Sequence, residues 1–204
     1  MHHAFLSQAL AATLLGGTVL AAAPPAGSHY RLDPAKSSLQ FTFLQAGAAN
    51  TGRFPRFMVS LDFPGADPAG GQLDVVVYTL LLDTGDQDRD ATLKSDDLFA
   101  VVRFPQAHFA ADQIVKSGNG YEAIGKLTIR GVTHDARVPF SFRAAVEGGA
   151  NVAYMTGKTL VRRLDYGVGQ GEWKATDQAG NDVTVSFSLR LVPPAHPGSA
   201  QTNN

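Results

Sequence analysis

The sequence predicts an all-β protein, an antiparallel β-barrel of about eight strands. Two observations carry this prediction. Apolar residues recur at every second position in almost every apolar stretch, as in strands with one buried and one wetted face. Gly, Asn and Asp punctuate these stretches at short intervals, as antiparallel connections require. Cysteine is absent, so the hydrophobic core, without disulfides, must hold the fold.

Taken in order, the chain opens on a small, apolar stretch from Phe5 to Ala23, with no Lys, Arg, Asp or Glu before Arg31, followed by Pro24, Pro25, Gly27 and Ser28. This reads as a secretory signal, residues 1–21, cut near Ala21, with residues 22–29 as a linker. The run from Leu10 to Leu20 is shorter than the about 20 apolar residues of a bilayer crossing. Only His2 and His3 precede it, without Lys or Arg, so an uncleaved anchor stays open as an alternative. The remainder has the length of one domain, placed at residues 30–192.

Within that domain Leu39, Phe41 and Phe43 alternate with Ser38, Gln40 and Thr42, and Phe57, Val59, Leu61 and Phe63 with Met58, Ser60 and Asp62. The pattern returns in Val138, Phe140 and Phe142, and then in Val183, Val185, Phe187, Leu189 and Leu191. Strands are expected near residues 37–45, 52–63, 72–83, 104–115, 121–130, 133–147, 150–163 and 182–192. Val75 to Leu82 is apolar at both parities, which predicts cover on its outer side. Asp86 to Phe99 loses the alternation and predicts short helices near 86–99, with Ser95 as an N-cap and Asp96 and Asp97 at the positive helix end. Residues 193–204, polar and rich in Pro and Gly, are expected to form a disordered tail. Eight strands close a barrel that is either filled by side chains or hollow enough for one small ligand, and composition leaves both open.

Several chemistries can be set aside. Lys and Arg number 17 against 18 Asp and Glu, a net charge of −1 without a basic stripe, which argues against nucleic acid as a partner. The missing cysteines exclude thiolate nucleophiles and cysteine-held metals. Asp86, Asp88, Asp90 and Asp97 are spaced like ligands of a calcium loop, but Ala91 replaces the required Gly, Lys94 occupies a coordinating position, and a strand precedes. His29, His108, His134 and His196 are scattered, with no pair at metal spacing; His134 and His196 read as solvated. No nucleophile elbow or phosphate-cradling Gly pattern appears. Trp173, alone in a Gly-rich connection, either closes over a ligand or packs against the barrel rim, and the rim is the favoured reading.

Four blocks in order carry a resemblance. The first is Tyr30-Arg31-Leu32-Asp33-Pro34 followed by Ser37, Ser38 and Leu39-Gln40-Phe41. The second is Leu82-Asp83-Thr84-Gly85, Arg89-Asp90, Leu93-Lys94-Ser95, Asp97-Leu98-Phe99 and Phe104-Pro105. The third runs from Gly125 to Thr133 and on to Val138-Pro139-Phe140, and the fourth from Val161 to Gly169 with Gly171-Glu172-Trp173. On these residues the sequence resembles the YceI-like, polyisoprenoid-binding periplasmic proteins. The resemblance spans Tyr30 to Val192 and implies a lipocalin-like barrel in the periplasm, holding an isoprenoid lipid or quinone tail non-covalently, with no cofactor and no catalysis. It departs at Gly52-Arg53-Phe54-Pro55-Arg56-Phe57, where an extra Pro stands at the start of a strand and bears on the pocket mouth.

The expected ligand lining is Phe41, Phe43, Phe57, Tyr78, Leu80, Phe99, Phe140, Phe142 and Tyr154. The resemblance adds Arg163 and Asp165, as head-group contacts or as a structural bracket at the strand's end, and leaves Asp90 between a mouth contact and a helix cap. Expected partners are an isoprenoid lipid, with transient membrane contact and a homodimer also compatible, and no nucleic acid. Two rivals stay open: an enzyme acting on an isoprenoid or other hydrophobic substrate, and an outer-membrane barrel with a lipid-facing apolar band.

Overall fold

The computed structural model describes residues 28–194 apart from Ala66; the segment read as a signal and residues 195–204 lie outside these. Ten strands and one α-helix follow the chain: β1 (Ser28–Leu32), β2 (Ser38–Gln45), β3 (Ala48–Arg53), β4 (Phe57–Phe63), β5 (Gln72–Val77), α1 (Gln87–Lys94), β6 (Ala107–Ser117), β7 (Gly120–Ile129), β8 (Val132–Glu147), β9 (Ala150–Arg162) and β10 (Asp182–Val192). All pairings are antiparallel. The sheet order is β1-β4-β5-β6-β7-β8-β9-β10-β2-β3, and β1 also returns to β10.

That return closes a barrel of eight staves, two of which are each made of two strands. One edge of β10 pairs with β9, and its other edge pairs first with β2 over Thr184–Ser188, then with β1 at Leu191 and Val192. In the neighbouring stave β4 pairs with β1 and β3 with β2. Asp33 and Ser37 seal the junction between β1 and β2. The Asp33 amide donates to the Arg190 carbonyl (2.8 Å), the Ser37 hydroxyl donates to the Asp33 carbonyl (2.7 Å), and the Arg190 amide donates to that hydroxyl (3.0 Å). On the outer wall the Arg190 guanidinium holds Asp33 (2.5 Å) and Glu147 (2.8 Å), and Tyr154 donates to Glu147. The first block of the resemblance therefore includes the residues that close this seam.

Hairpin turns supply the meander. Residues 46–47, 130–131 and 148–149 all adopt positive φ, the pair of left-handed residues that a two-residue turn between right-twisted strands requires. Arg130 takes this conformation without being Gly. In β6 a register shift between Ala111 and Gln113 changes parity, so that Ala107, Phe109 and Ala111 face inward and Ile114 does too. Inward faces are apolar and outward faces carry Ser, Thr, Asp, Lys and Arg, the opposite sidedness to a lipid-facing barrel.

Four local expectations are corrected. The stretch 52–63 is not one strand: it breaks at Phe54-Pro55-Arg56, where Pro55 has no amide to offer a ladder. The stretch 72–83 ends as a strand at Val77 and continues as a 3-10 turn, so Leu80 and Leu81 stay 46% and 42% exposed, without an outer cover. Ser95 is the C-cap of α1, not an N-cap; Asp86 caps the N-terminus, its carboxylate accepting from the Arg89 amide at 3.0 Å. Finally, β1 begins at Ser28, inside the stretch read as a linker.

Candidate ligand-binding cavity

The barrel interior divides into a filled end and a hollow end. At the filled end rings from four strands meet: Phe142 stands edge-on to Tyr30 (centroids 6.3 Å apart), Phe63 (5.7 Å) and Tyr121 (6.5 Å). Tyr121 stacks on Phe140 at 5.6 Å, and Leu61, Ile114, Ala123, Ala153 and Leu191 fill the space between. Burial raises the pKa of the Tyr30 hydroxyl.

Above this plug lies a cavity of about 470 Å³. Leu39, Leu73, Met155 and Leu189 are its deepest wall residues along their strands, and above them it is lined by Val75, Val77, Phe109, Leu127, Val138, Val183, Val185 and Phe187. Glycines let two of the rings lie along the wall: a Cβ on Gly52 would sit 2.3 Å from the Phe41 ring, and one on Gly157 2.5 Å from the Phe187 ring. Phe41 also stacks with Phe43 (5.8 Å) and packs on Phe54 (4.8 Å). The Pro-containing departure from the resemblance thus breaks a stave while adding Phe54 to the cavity wall.

Two segments roof the cavity. One is α1 with the turn after it, contributing Leu93, Leu98 and Phe99; the other is the β9–β10 connection, contributing Val168 and Trp173. They are tied together, since the amides of Gly169 and Gln170 both donate to the Asp97 carbonyl (3.0 and 2.8 Å), and Leu98, Tyr166 and Val168 form a second small core. Asp86, held below the usual carboxylate range mainly by the Arg89 amide, fixes the start of α1. Asp90 accepts from the amide and hydroxyl of Thr84 (2.9 and 2.7 Å), anchoring the loop before the helix. The cavity reaches Gln45, Asp88 and Ala179-Gly180, where the β2–β3 hairpin, α1 and the β9–β10 connection frame its polar end.

Arg163 lines this end and is only 7% exposed. Its guanidinium donates to the carbonyls of Gly180 (2.9 Å), Val168 (2.8 Å) and Ala179 (2.6 Å), so one side chain brackets the roof connection at both ends. No carboxylate among the described residues pairs with it, and burial lowers its pKa from the ordinary guanidinium value. Gly169 is needed beside it: its φ is 124° and a Cβ there would lie 1.9 Å from the Arg163 Nη1.

Of the residues singled out in the sequence, Phe41, Phe43, Phe57, Phe99 and Arg163 are brought together around the cavity. Phe140 and Phe142 point inward but belong to the plug. Tyr78 lies beneath the Arg56 guanidinium (4.8 Å) at the end of β5, and Leu80 sits on the exposed 3-10 turn. Tyr154 faces outward under the Arg143 guanidinium (4.5 Å), bonded to Glu147. Asp165 pairs with Arg162 (2.8 Å) on the surface, and its carbonyl accepts from His134 (3.0 Å), which is therefore engaged and not simply solvated. His108 bonds Asp74 (2.7 Å) on the outer wall, away from the cavity. Trp173 packs against the roof core and also lines the cavity. Of the lining beyond the residues singled out in the sequence, part carries a sequence signal, the strict alternation of Val183, Val185, Phe187 and Leu189, and part carries none, as for Phe54 and Leu93.

Comparison with known proteins agrees with this architecture. A family model for the YceI-like domain matches residues 30–191. A UPF0312 protein of Shewanella sp. (strain ANA-3) is 29% identical over 190 residues, covering 88% of this chain and 97% of that protein. A UPF0312 protein of Yersinia pestis (strain Pestoides F) is 30% identical over 131 residues, 63% of this chain and 68% of the relative. Among solved structures, Burkholderia cenocepacia BcnA is 29% identical with a TM-score of 0.71, covering 78% of this chain and 98% of its own. A polyisoprenoid binding domain from Saccharophagus degradans shares the fold at 18% identity, with a TM-score of 0.55 over 81% of this chain and 98% of that one. The closed eight-stave barrel and a family match that runs almost from β1 to the end of β10 identify the chain as a member of the YceI-like family.

Proposed function

We propose that this protein binds the apolar tail of an isoprenoid-type lipid, a polyprenyl chain or a quinone tail, inside the hollow end of its barrel, non-covalently and without catalysis. The observation that carries the reading is the cavity itself: about 470 Å³ walled by Phe, Leu, Val and Met, within the range of small-ligand sites. Burying hydrocarbon is worth roughly 0.8 kcal/mol per CH₂, so a few isoprene units supply a large gross term from which ordering of the chain is subtracted. Of the charged groups at the polar end, Asp86 caps α1 and pairs with Arg89 (3.6 Å), Arg163 brackets the roof, and Asp88 lies in the first turn of α1, where the helix dipole favours a carboxylate; Asp90, outside the lining, anchors the preceding loop. That favours binding over chemistry. The name of the Saccharophagus degradans domain, a polyisoprenoid binding domain, supports the choice of ligand. The N-terminal stretch supports a periplasmic setting, in which carriage, storage or protection of such a lipid would serve the cell.

The test is native mass spectrometry of the mature protein purified from a bacterial periplasm, followed by organic extraction. A stoichiometric isoprenoid is expected. A reproducibly empty protein that takes up no isoprenoid when offered one would overturn the proposal.

A further inference from the structure

We infer that the outer surface of the hollow end is a docking face for a lipid bilayer, with Leu80, Leu81 and Val102 as the side chains that enter it. The inference rests on the lipid reading for its purpose, since a water-insoluble tail must pass between bilayer and cavity, but the observations behind it lie on the outside of the molecule. Among the described residues, eight large hydrophobic side chains are exposed. Six of them, Leu44, Leu80, Leu81, Val102, Val132 and Leu160, stand at or next to the rim of the hollow end, whereas Met58 lies on the outer wall and Val146 near the filled end. Single exposed hydrophobic residues are ordinary on any protein surface; their gathering at one end is not. The hairpin turns of the filled end are Gly118-Asn119 and Gly148-Gly149, with no apolar side chain to offer a membrane.

The most apolar part of the rim is a pair of neighbouring turns, Thr79–Leu81 after β5 and residues 100–104 before β6. They are stapled together: the Thr79 hydroxyl donates to the Phe104 carbonyl (3.1 Å) and the Leu80 amide to the Pro105 carbonyl (3.3 Å). Each is also anchored from inside. Thr79 and Leu82, on either side of Leu80-Leu81, are buried, as are Ala100 and Val101 just before Val102. Both tips are thus held in place, and docking has little left to order. At 90% exposure Val102 adds almost nothing to the core, so its apolar character is explained from outside.

Two guanidinium groups flank the tips, Arg56 over the Tyr78 ring (4.8 Å) and Arg103 over the Phe104 ring (5.7 Å). Arg and Tyr, each an apolar body with a polar end, suit the boundary between headgroups and hydrocarbon. Arg103 pairs with Asp96 at 3.6 Å on the surface, whereas Arg56 pairs with no carboxylate among the described residues and is free for a lipid phosphate. A rim of this kind binds reversibly, through a few inserted side chains and nearby cations.

The absence of cysteine makes the test direct, because a single Val102→Cys or Val146→Cys variant carries a polarity-sensitive dye at one chosen end. On addition of vesicles of phosphatidylethanolamine and phosphatidylglycerol, the dye at position 102 is expected to shift to shorter wavelength and the dye at 146 to stay unchanged. In co-sedimentation with the same vesicles, Val102→Asp should lower partitioning about tenfold and Val146→Asp should not change it. Equal shifts at both positions, or a shift at 146 alone, overturn the assignment of the face. A protein that does not associate with vesicles overturns docking, and an isoprenoid extracted from that same protein leaves the lipid reading standing. A protein that docks through position 102 but never yields or takes up an isoprenoid keeps the face and loses the lipid reading. If Val102→Asp removes a dimer in sedimentation velocity and leaves vesicle binding intact, the face joins two copies of the chain and the inference is overturned.

Discussion

The two ends of this barrel are built from the same alternating strands, yet one is solid and the other holds a void. At the solid end Phe142 meets Tyr30, Phe63 and Tyr121 edge-on across the axis and Tyr30 stacks on Phe63, while Ala111, Ala123 and Ala153 leave room for them. At the hollow end several inward residues are Val, too short to meet across the barrel, and two of the rings lie along the wall because Gly52 and Gly157 admit them. The difference is thus one of ring direction more than of apolar content. Whether a small barrel is a core or a container is decided by what stands beside each aromatic residue on the next strand.

Truncations should separate the ends most sharply. Leu61, fully buried in the plug, should lose about 2–5 kcal/mol on Leu61→Ala, whereas Val185→Ala, facing an existing void, should lose about 1 kcal/mol or less; urea denaturation of both variants measures the contrast. Arg163→Met leaves three roof carbonyls without their donor, at about 1–3 kcal/mol for a group left unpaired, and the loss should show as protease cleavage within residues 163–181 before the barrel unfolds.

Added methyl groups probe the same contrast on a smaller scale. A Cβ on Gly125 would lie 2.1 Å from the Ala110 carbonyl oxygen, part of the sheet backbone, so Gly125→Ala should destabilise by about 1–3 kcal/mol. On Gly52 the obstacle is only the Phe41 ring, which can swing into the void. Gly52→Ala should therefore change the melting temperature little and weaken lipid binding, which calorimetry and titration would resolve.

The smallest effect concerns pH. Glu147 is held below the usual carboxylate range first by the Tyr154 hydroxyl and then by Arg190. Its folded pKa is lowered, so its contribution to stability is present above the ordinary carboxylate pKa and is lost as pH falls through the lowered value. Glu147→Gln should flatten that acid limb of the stability curve and leave ligand binding unchanged, because the bracket lies on the outer wall.

Much of the fold was legible because strand period is a local property: Asp182–Val192 coincides with the expected last strand, and the four blocks of the resemblance fall within the barrel and its roof. What failed was also local in origin. Pro55 broke a run whose apolar alternation looked continuous, and the chain after Val77 turned while its residues stayed hydrophobic, which displaced Tyr78 and Leu80 from the expected lining. Tyr154 lies between the buried Ala153 and Met155, so the aromatic residue took the outer face. Phe140 and Phe142 had the correct face but the wrong half of the barrel, since depth along the axis depends on stagger between strands, which no single strand records. Phe54, Leu93 and Trp173 reached the cavity through loops and tertiary packing alone.

The most direct test of a hollow upper half uses the methionines. Met155 is 1% exposed and lines the cavity, while Met58 is 51% exposed on the outer wall. In protein carrying ¹³C-methyl Met, addition of an isoprenoid alcohol should shift the Met155 methyl resonance saturably at one equivalent and leave Met58 in place. A ligand that moves Met58 and not Met155 would contradict the account, placing the lipid outside the barrel.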